Sequence, residues 1–131
     1  MTSRLASCTC GKLSARVDGE PVRISVCHCL ACQRRTGSVF AVQARFARSG
    51  VTLAGAGKQF VRVGDEGSAA TFTFCPECGA TVYWVTAGQE DLIAIPVGAF
   101  ADPGFPAPRV SVYEERRHGW VKMPPDMEHF G

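Results

Sequence analysis

Seven cysteines stand out in this sequence, because they are grouped and because their number is odd. They form three groups: Cys8-Thr-Cys10, Cys27-His-Cys29-Leu-Ala-Cys32 and Cys75-Pro-Glu-Cys78. An odd number cannot be used up in disulfides within one chain. The first residues also lack the apolar segment of a secretory signal, so we expect a cytoplasmic, reducing location. Grouped thiols at these spacings are typical of metal chelation, and Cys-x-x-Cys followed by glycine favours Zn²⁺.

The three groups can be combined in two ways, each giving one site with four ligands and one with three. The first combination has a four-ligand site of Cys8, Cys10, Cys75 and Cys78 and a three-ligand site of Cys27, Cys29 and Cys32. The second joins Cys8 and Cys10 to Cys27 and Cys29, and leaves Cys32 with Cys75 and Cys78. Spacing favours the first combination, because three cysteines within the short segment 27–32 can converge on one ion. A four-thiolate zinc site is closed and structural, whereas three protein ligands leave a position open for chemistry.

The Cys-x-Cys spacing constrains the backbone. In a regular strand, residues two apart lie about 7 Å from each other along one face, so two such thiols cannot share an ion. We therefore expect these pairs in turns or at strand ends. Gly11 and Gly79 directly follow Cys10 and Cys78, and glycine can take the positive φ that turns N–H groups toward a sulfur. In the first combination zinc would connect residues 8–10 to residues 75–78, so its removal should unfold much of the chain.

Few other side chains are candidates for chemistry. Arg34 and Arg35 follow Cys32 and could meet the carboxylate of a peptide-like thiol, although a solvated arginine pair is the alternative interpretation. His28 lies between two proposed ligands, and because adjacent side chains point apart we do not expect it to bind the same ion. It could instead transfer protons near the site. Three aromatic residues could line a pocket, although on strands such residues more often lie in the core: Tyr83, Trp84 and Trp120.

The segments between the cysteines are typical of short strands separated by turns. Alternating apolar residues or short apolar runs predict strands at 13–17, 22–26, 40–46, 51–53, 60–63, 70–74, 82–85, 92–100 and 109–113. A helical turn is predicted at 31–36 alone. We therefore predict a mainly β fold with little helix, arranged as one domain over residues 1–131. Residues 121–131 would form a tail along its surface.

Composition excludes several classes of function. The chain has 131 residues, of which 46% are hydrophobic and 20% charged, as in ordinary globular proteins. Its formal net charge of +2 does not predict nucleic acid as a partner. The longest apolar run, residues 92–101, is about half of the ~20 residues that a membrane-spanning helix needs. We therefore expect neither a nucleic-acid partner nor a membrane location.

The order and spacing of three motifs resemble the glutathione-dependent formaldehyde-activating (GFA) family, which includes centromere protein V-like domains. The motifs are CTCG, CHCLACQRRTGS and FCPECGATVYW, and the resemblance covers residues 8–120 with all seven cysteines. It implies a β-tent fold of small antiparallel sheets and supports the first combination. A structural zinc would then be held by the four-ligand set, and a second, more weakly bound zinc by Cys27, Cys29 and Cys32, where the chemistry would occur.

The resemblance also implies an activity. Members of the family are associated with joining glutathione and formaldehyde into S-(hydroxymethyl)glutathione, a reversible carbon–sulfur bond reaction. The expected partner is therefore a small-molecule thiol such as glutathione. The centromere protein V-like relatives suggest the alternative, a non-catalytic zinc-binding interaction module.

Overall fold

The computed structural model describes residues 2–64 and 67–131, and most of its regular structure is strand. The strands are β1 (Ser3–Ser7), β2 (Ser14–Asp18), β3 (Arg23–Cys27), β4 (Ala41–Ala47), β5 (Val51–Ala54), β6 (Lys58–Val63), β7 (Ala69–Phe74), β8 (Thr81–Thr86), β9 (Leu92–Pro96), β10 (Val110–Val112) and β11 (Glu128–His129). One α-helix of the described residues, α1 (Leu30–Thr36), follows β3, and 3₁₀ turns lie at Arg48–Gly50, Val97–Phe100 and Glu114–Arg116. The prediction of a mainly β fold with little helix is confirmed.

The strands form two sheets of different size. The smaller sheet has the antiparallel order β1-β2-β5, and the larger has the order β11-β10-β3-β4-β9-β8-β7-β6. In the larger sheet the neighbouring pairs β3–β4, β4–β9, β9–β8, β8–β7 and β7–β6 are antiparallel, as the resemblance implied. At the other edge, β10 runs parallel to both β3 and β11. Parallel neighbours need a long connection, which the stretch between β10 and β11 supplies.

Alternation along the strands gives the larger sheet two different faces. One face contributes Ala44, Phe46, Ile93 and Ile95 to the main core, where they meet residues of the smaller sheet such as Val17. Residues at the intervening positions of the same strands point to the opposite face. They line a broad open groove, whose wall includes Ser25, Cys27, Gln43, Arg45, Phe72 and Trp84.

The structure differs from the sequence-based prediction most clearly at β1 and at the predicted strand 92–100. The strand β1 was not predicted, because its sequence lacks an apolar alternation: Ala6 is buried but Leu5 is exposed. The predicted run 92–100 divides after Pro96, since β9 ends there and a 3₁₀ turn follows. A proline cannot donate a backbone hydrogen bond to a strand ladder.

The C-terminal tail is anchored to the larger sheet. Strand β11 pairs with β10, and the side chains of Val121 and Met127 are buried. The tail was expected to run along the surface. In the structure it also forms a short strand and buries two apolar side chains.

The helix α1 is short and has a defined beginning and end. Its N-cap is Cys29, whose sulfur accepts a hydrogen bond from the backbone of Cys32, and its C-cap is Gly37 with φ of 71°. Positive φ is a conformation that favours glycine. Within the described residues, no helix has the length and apolar character needed to cross a bilayer.

Candidate metal centres

The first cluster, here called the four-cysteine cluster, consists of Cys8, Cys10, Cys75 and Cys78, whose Sγ atoms lie within 4.8 Å of one another. The Sγ atoms of Cys8 and Cys10 are 3.7 Å apart, and those of Cys10 and Cys75 are 3.5 Å apart. Four sulfurs at about 2.3 Å from one zinc ion would be separated by about 3.8 Å. The cluster therefore fits a tetrahedral ion with four thiolate ligands.

Two turns supply these sulfurs, and each is closed by a glycine with positive φ. The N–H of Gly11, with φ of 83°, donates to the carbonyl of Cys8 at 3.2 Å. The N–H of Gly79, with φ of 81°, donates to the carbonyl of Cys75 at 2.7 Å. The Cys-x-Cys pair thus lies in a turn, as its spacing required. The backbone N–H of Leu13 also donates to the Cys8 sulfur at 3.3 Å, which would offset part of a thiolate's charge.

The position of the four-cysteine cluster connects the two sheets. One turn joins β1 to β2 in the smaller sheet, and the other joins β7 to β8 in the larger sheet. Cys8 and Cys75 are buried, whereas Cys10 and Cys78 are exposed. A backbone hydrogen bond from Ala80 lowers the pKa of the Cys78 thiol to about 6, which favours the thiolate that a metal ion needs.

The second cluster, here called the three-cysteine cluster, consists of Cys27, Cys29 and Cys32, whose Sγ atoms also lie within 4.8 Å of one another. Cys27 is the last residue of β3, Cys29 caps α1, and Cys32 lies in its first turn. No histidine or carboxylate of the described residues belongs to this group. Three sulfur donors fit a zinc ion with one position left open.

The three sulfurs share their protons unequally. Hydrogen bonds from the sulfurs of Cys27 and Cys32 lower the pKa of the Cys29 thiol to about 2, and the positive charge of Arg62 adds to this effect. The hydrogen bond to Cys29 raises the pKa of the Cys27 thiol, and burial adds to the increase. One thiolate is therefore stabilised beside its neighbours' S–H groups, an arrangement in which a bound cation could replace the shared protons.

The two clusters correspond to the first of the two combinations that the spacing allowed. Both clusters could hold a metal ion, and their sulfur-only donor sets are consistent with zinc.

The groove on the larger sheet begins at the three-cysteine cluster and is rich in basic side chains. Seven basic residues line it, and Glu115 is the one acidic residue among the described lining. The guanidinium carbon of Arg35 lies 4.6 Å from the ring centroid of Trp84 and 5.3 Å from that of Phe72. The guanidinium carbon of Arg62 lies 4.8 Å from the Phe72 centroid. Both arginines are therefore held over one aromatic platform.

The structure separates the candidate side chains predicted from the sequence. Arg34 and Arg35 both line the groove, but Arg34 is exposed while Arg35 is partly buried over the aromatic rings. His28 is fully buried and outside the groove lining, with its Nε2 3.0 Å from the Ser111 Oγ. Burial lowers its pKa, so the imidazole is neutral at ordinary pH. His28 therefore packs in the interior next to Cys27 and Cys29 and does not line the groove.

The three aromatic residues have different locations. Trp84 lines the groove and is 5% exposed, whereas Tyr83 packs against the main core on the opposite face. Trp120 is 70% exposed and lies outside the groove lining. Sequence reasoning missed Arg45 and Arg62, since isolated arginines on alternating strands are ordinarily solvent-facing.

The family model described as glutathione-dependent formaldehyde-activating enzyme matches residues 3–116. A crystal structure of a protein from Rhodobacter sphaeroides matches with a TM-score of 0.57 at 21% identity, covering 76% of this chain and 88% of that chain. At this identity the structural match supports the fold alone. No curated protein matches the chain.

Proposed function

Because the chain belongs to the glutathione-dependent formaldehyde-activating family, we propose that it is a zinc-dependent protein of the carbon–sulfur lyase type. It would form and break the bond between a small thiol and an aldehyde carbon, resembling S-(hydroxymethyl)glutathione synthase. The observation that supports this proposal is the three-cysteine cluster, which has sulfur ligands for one ion, no fourth protein ligand among the described residues, and a groove beside it.

The proposed reaction needs no redox partner. The thiol sulfur forms a bond to the carbonyl carbon, the π electron pair of the C=O bond moves to the oxygen, and the proton released by the thiol ends on that oxygen. In the reverse direction the hydroxyl loses its proton and the carbon–sulfur bond breaks. Both directions require a thiolate beside a carbonyl group.

The residues of the chain would contribute in distinct ways. Cys27, Cys29 and Cys32 would hold the ion, which when bound supplies a cationic centre that stabilises a substrate thiolate. The arginines of the groove would favour the thiolate through their charge and orient acidic substituents. The aromatic platform of Phe72 and Trp84 would keep water away from one side of the groove.

The four-cysteine cluster would have a structural role in this proposal. Its ion would be enclosed by four thiolates and would hold the turn of the smaller sheet against the turn of the larger sheet. It would therefore maintain the geometry of the groove without taking part in the reaction.

The test is an exchange measurement, because thiols add to formaldehyde even without a catalyst. Zinc per chain is determined first, and exchange between free and glutathione-bound formaldehyde is then followed by NMR with and without protein. We expect the wild-type protein to accelerate exchange. In Cys29→Ser this acceleration should be at least tenfold smaller, while the circular dichroism spectrum should match that of the wild type. The control is Trp120→Phe, which changes an exposed side chain outside the groove. Exchange equal to the protein-free rate in the wild type would contradict the proposal.

A second candidate function is the non-catalytic zinc-binding interaction module. The observation that favours it is the edge strand β6, which exposes Phe60, Val61 and Val63 by 57–67%. An exposed apolar edge strand can pair with a strand of another protein. Two ions held equally tightly, combined with no acceleration of exchange, would support this function over the enzymatic one.

A further inference from the structure

We propose that the groove selects a thiol–aldehyde adduct with a carboxylate a few bonds from its reacting carbon and sulfur, and that Arg35 and Arg62 bind this carboxylate. The inference rests on the proposed function, since it assigns a substrate class to the same groove. The carboxylate can belong to the thiol or to the aldehyde, and the experiment below distinguishes the two sources.

Arg35 reaches the groove from the helix that carries a ligand. It lies three residues after Cys32 in α1, and residues at this spacing share one side of a helix. Its guanidinium group stacks over Trp84 and Phe72, which fixes the plane of the group. The guanidinium group has a hydrogen bond to the Cys32 side chain, but its Nε and Nη2 atoms are buried without a hydrogen-bond partner among the described residues. Buried donors are ordinarily paired, so these two atoms point to an acceptor supplied by a ligand.

Arg62 approaches the same platform from β6. It stacks on Phe72, and its Nε is likewise buried without a hydrogen-bond partner among the described residues. The guanidinium carbons of Arg35 and Arg62 lie 5.3 and 4.8 Å from the centroid of the same Phe72 ring, so two like charges are held close together. Neither arginine forms an ion pair with a carboxylate among the described residues. A negatively charged group between them would satisfy the donors and relieve the repulsion.

The surrounding groove adds to the positive potential. Arg23 and Arg45 lie directly opposite each other in the β3–β4 pair, and both line the groove. Like charges at directly opposite positions destabilise a sheet, so an anionic ligand would offset this repulsion as well. With Glu115 as the one acidic residue of the described lining, the groove attracts anions over neutral molecules.

The ligand group is a carboxylate close to the reacting atoms for two reasons. A planar guanidinium donates two parallel hydrogen bonds to a carboxylate, and two stacked guanidinium groups can share its oxygens. Both arginines also line the same groove as the sulfurs of Cys29 and Cys32, and Arg35 lies one helical turn after Cys32 in α1. A carboxylate held there would therefore be only a few bonds from the carbon–sulfur bond that forms.

The first experiment measures binding in the Trp120→Phe background, where Trp84 is the remaining tryptophan of the two in the chain. Titration calorimetry and Trp84 fluorescence compare mercaptoacetate with 2-mercaptoethanol, and glyoxylate with glycolaldehyde, each pair matched in size. We expect the carboxylate member of at least one pair to bind at least tenfold more tightly and to change the Trp84 signal. The pair that shows the preference identifies the source of the carboxylate. Zinc content is measured after each titration, so that chelation by the thiol is separated from binding.

The second experiment tests the assigned arginines. Arg35→Gln and Arg62→Gln should each remove most of the tenfold preference, because each weakens binding of the carboxylate ligand far more than binding of its neutral counterpart. Arg35→Lys keeps the charge without the two-pronged geometry and should retain only part of the preference. The control is Arg48→Gln, an exposed arginine outside the groove lining. Circular dichroism verifies that each variant folds.

The outcomes separate the inference from the proposed function. Equal affinity for both members of both pairs, in a protein that accelerates exchange of glutathione-bound formaldehyde, overturns the inference alone. A preference that survives both Arg35→Gln and Arg62→Gln also overturns it. Tighter binding of the carboxylate ligand that is lost in the arginine variants supports the inference. Because this result is a binding measurement, it supports the inference even if the protein does not accelerate exchange.

Discussion

The four-cysteine and three-cysteine clusters offer the same ligand atoms, but the chain assembles them in opposite ways. The four-cysteine cluster brings together Cys10 and Cys75, which are 65 positions apart, and it lies between the two sheets. The three-cysteine cluster uses one short segment from Cys27 to Cys32, attached to the larger sheet. Long-range ligation would tie the two sheets together, whereas local ligation would leave one side of an ion free to face the groove.

The difference follows from chain entropy. Two turns that are distant in sequence meet at a large entropic cost, and an ion bound only by the folded chain offsets that cost. A cluster within six residues, already held by the cap of α1 and the end of β3, needs little of this help. The first ion is therefore expected to govern stability, and the second to govern chemistry.

The largest expected effect is on stability. Cys75→Ser should lower the free energy of unfolding by about 3 kcal/mol or more, in the range for losing a native cross-link, because it opens the connection between the sheets. Cys32→Ser is a matched control, since both thiols are buried, and it should cost about 1 kcal/mol, as a typical substitution does. Denaturant unfolding of the zinc-loaded proteins measures both values. Equal losses would break the distinction between the clusters.

The next effect concerns metal release. A chelator should remove zinc in two steps, first from the three-cysteine cluster and then, at least tenfold more slowly, from the four-cysteine cluster. Three ligands and an open position allow a competitor to enter, whereas four enclosing thiolates do not. A zinc-binding dye records the release, and circular dichroism should change only in the second step. Release of both ions in one step would contradict the comparison.

Much of this arrangement could be predicted from the sequence, because its determinants are local. The Cys-x-Cys and Cys-x-x-Cys spacings, with Gly11 and Gly79 after them, predicted the turns and favoured the grouping that the structure has. Alternating apolar residues predicted most strands. Strand β1 was not predicted, because its large apolar side chain, Leu5, is exposed and the small side chain of Ala6 is the buried one.

The groove could not be predicted, because it depends on strand register. In the sequence, Arg62 cannot be distinguished from an ordinary exposed arginine. The pairing of β6 with β7 places its guanidinium group beside Phe72. A shift of one residue would move it to the other face of the sheet. Arg35 illustrates the same limit, since the sequence indicated a carboxylate partner but did not show the stacking over Trp84.

A moderate effect is expected from the contact that anchors the three-cysteine segment. Ser111→Ala removes the partner of the buried His28 Nε2, which should lower the free energy of unfolding by about 1–3 kcal/mol, the cost of a buried unpaired polar group. Zinc at the three-cysteine cluster should be released faster, while release from the four-cysteine cluster is unchanged. The matched control is Ser25→Ala, another buried serine whose Oγ accepts from Gln43. If both clusters lost zinc faster, the two sites would not be independent.

The smallest effect tests whether charge also joins the two turns of the four-cysteine cluster. The Lys12 Nζ lies 3.7 Å from the Glu77 Oε1, and these residues belong to opposite turns. Both side chains are more than 60% exposed, and an exposed ion pair contributes about 0–1 kcal/mol. Lys12→Gln should therefore lower the free energy of unfolding by about 0.5 kcal/mol or less, with the difference disappearing in high salt. Zinc release should be unchanged. A salt-sensitive loss as large as that of Cys75→Ser would mean that surface charge, and not sulfur ligation, holds the sheets together.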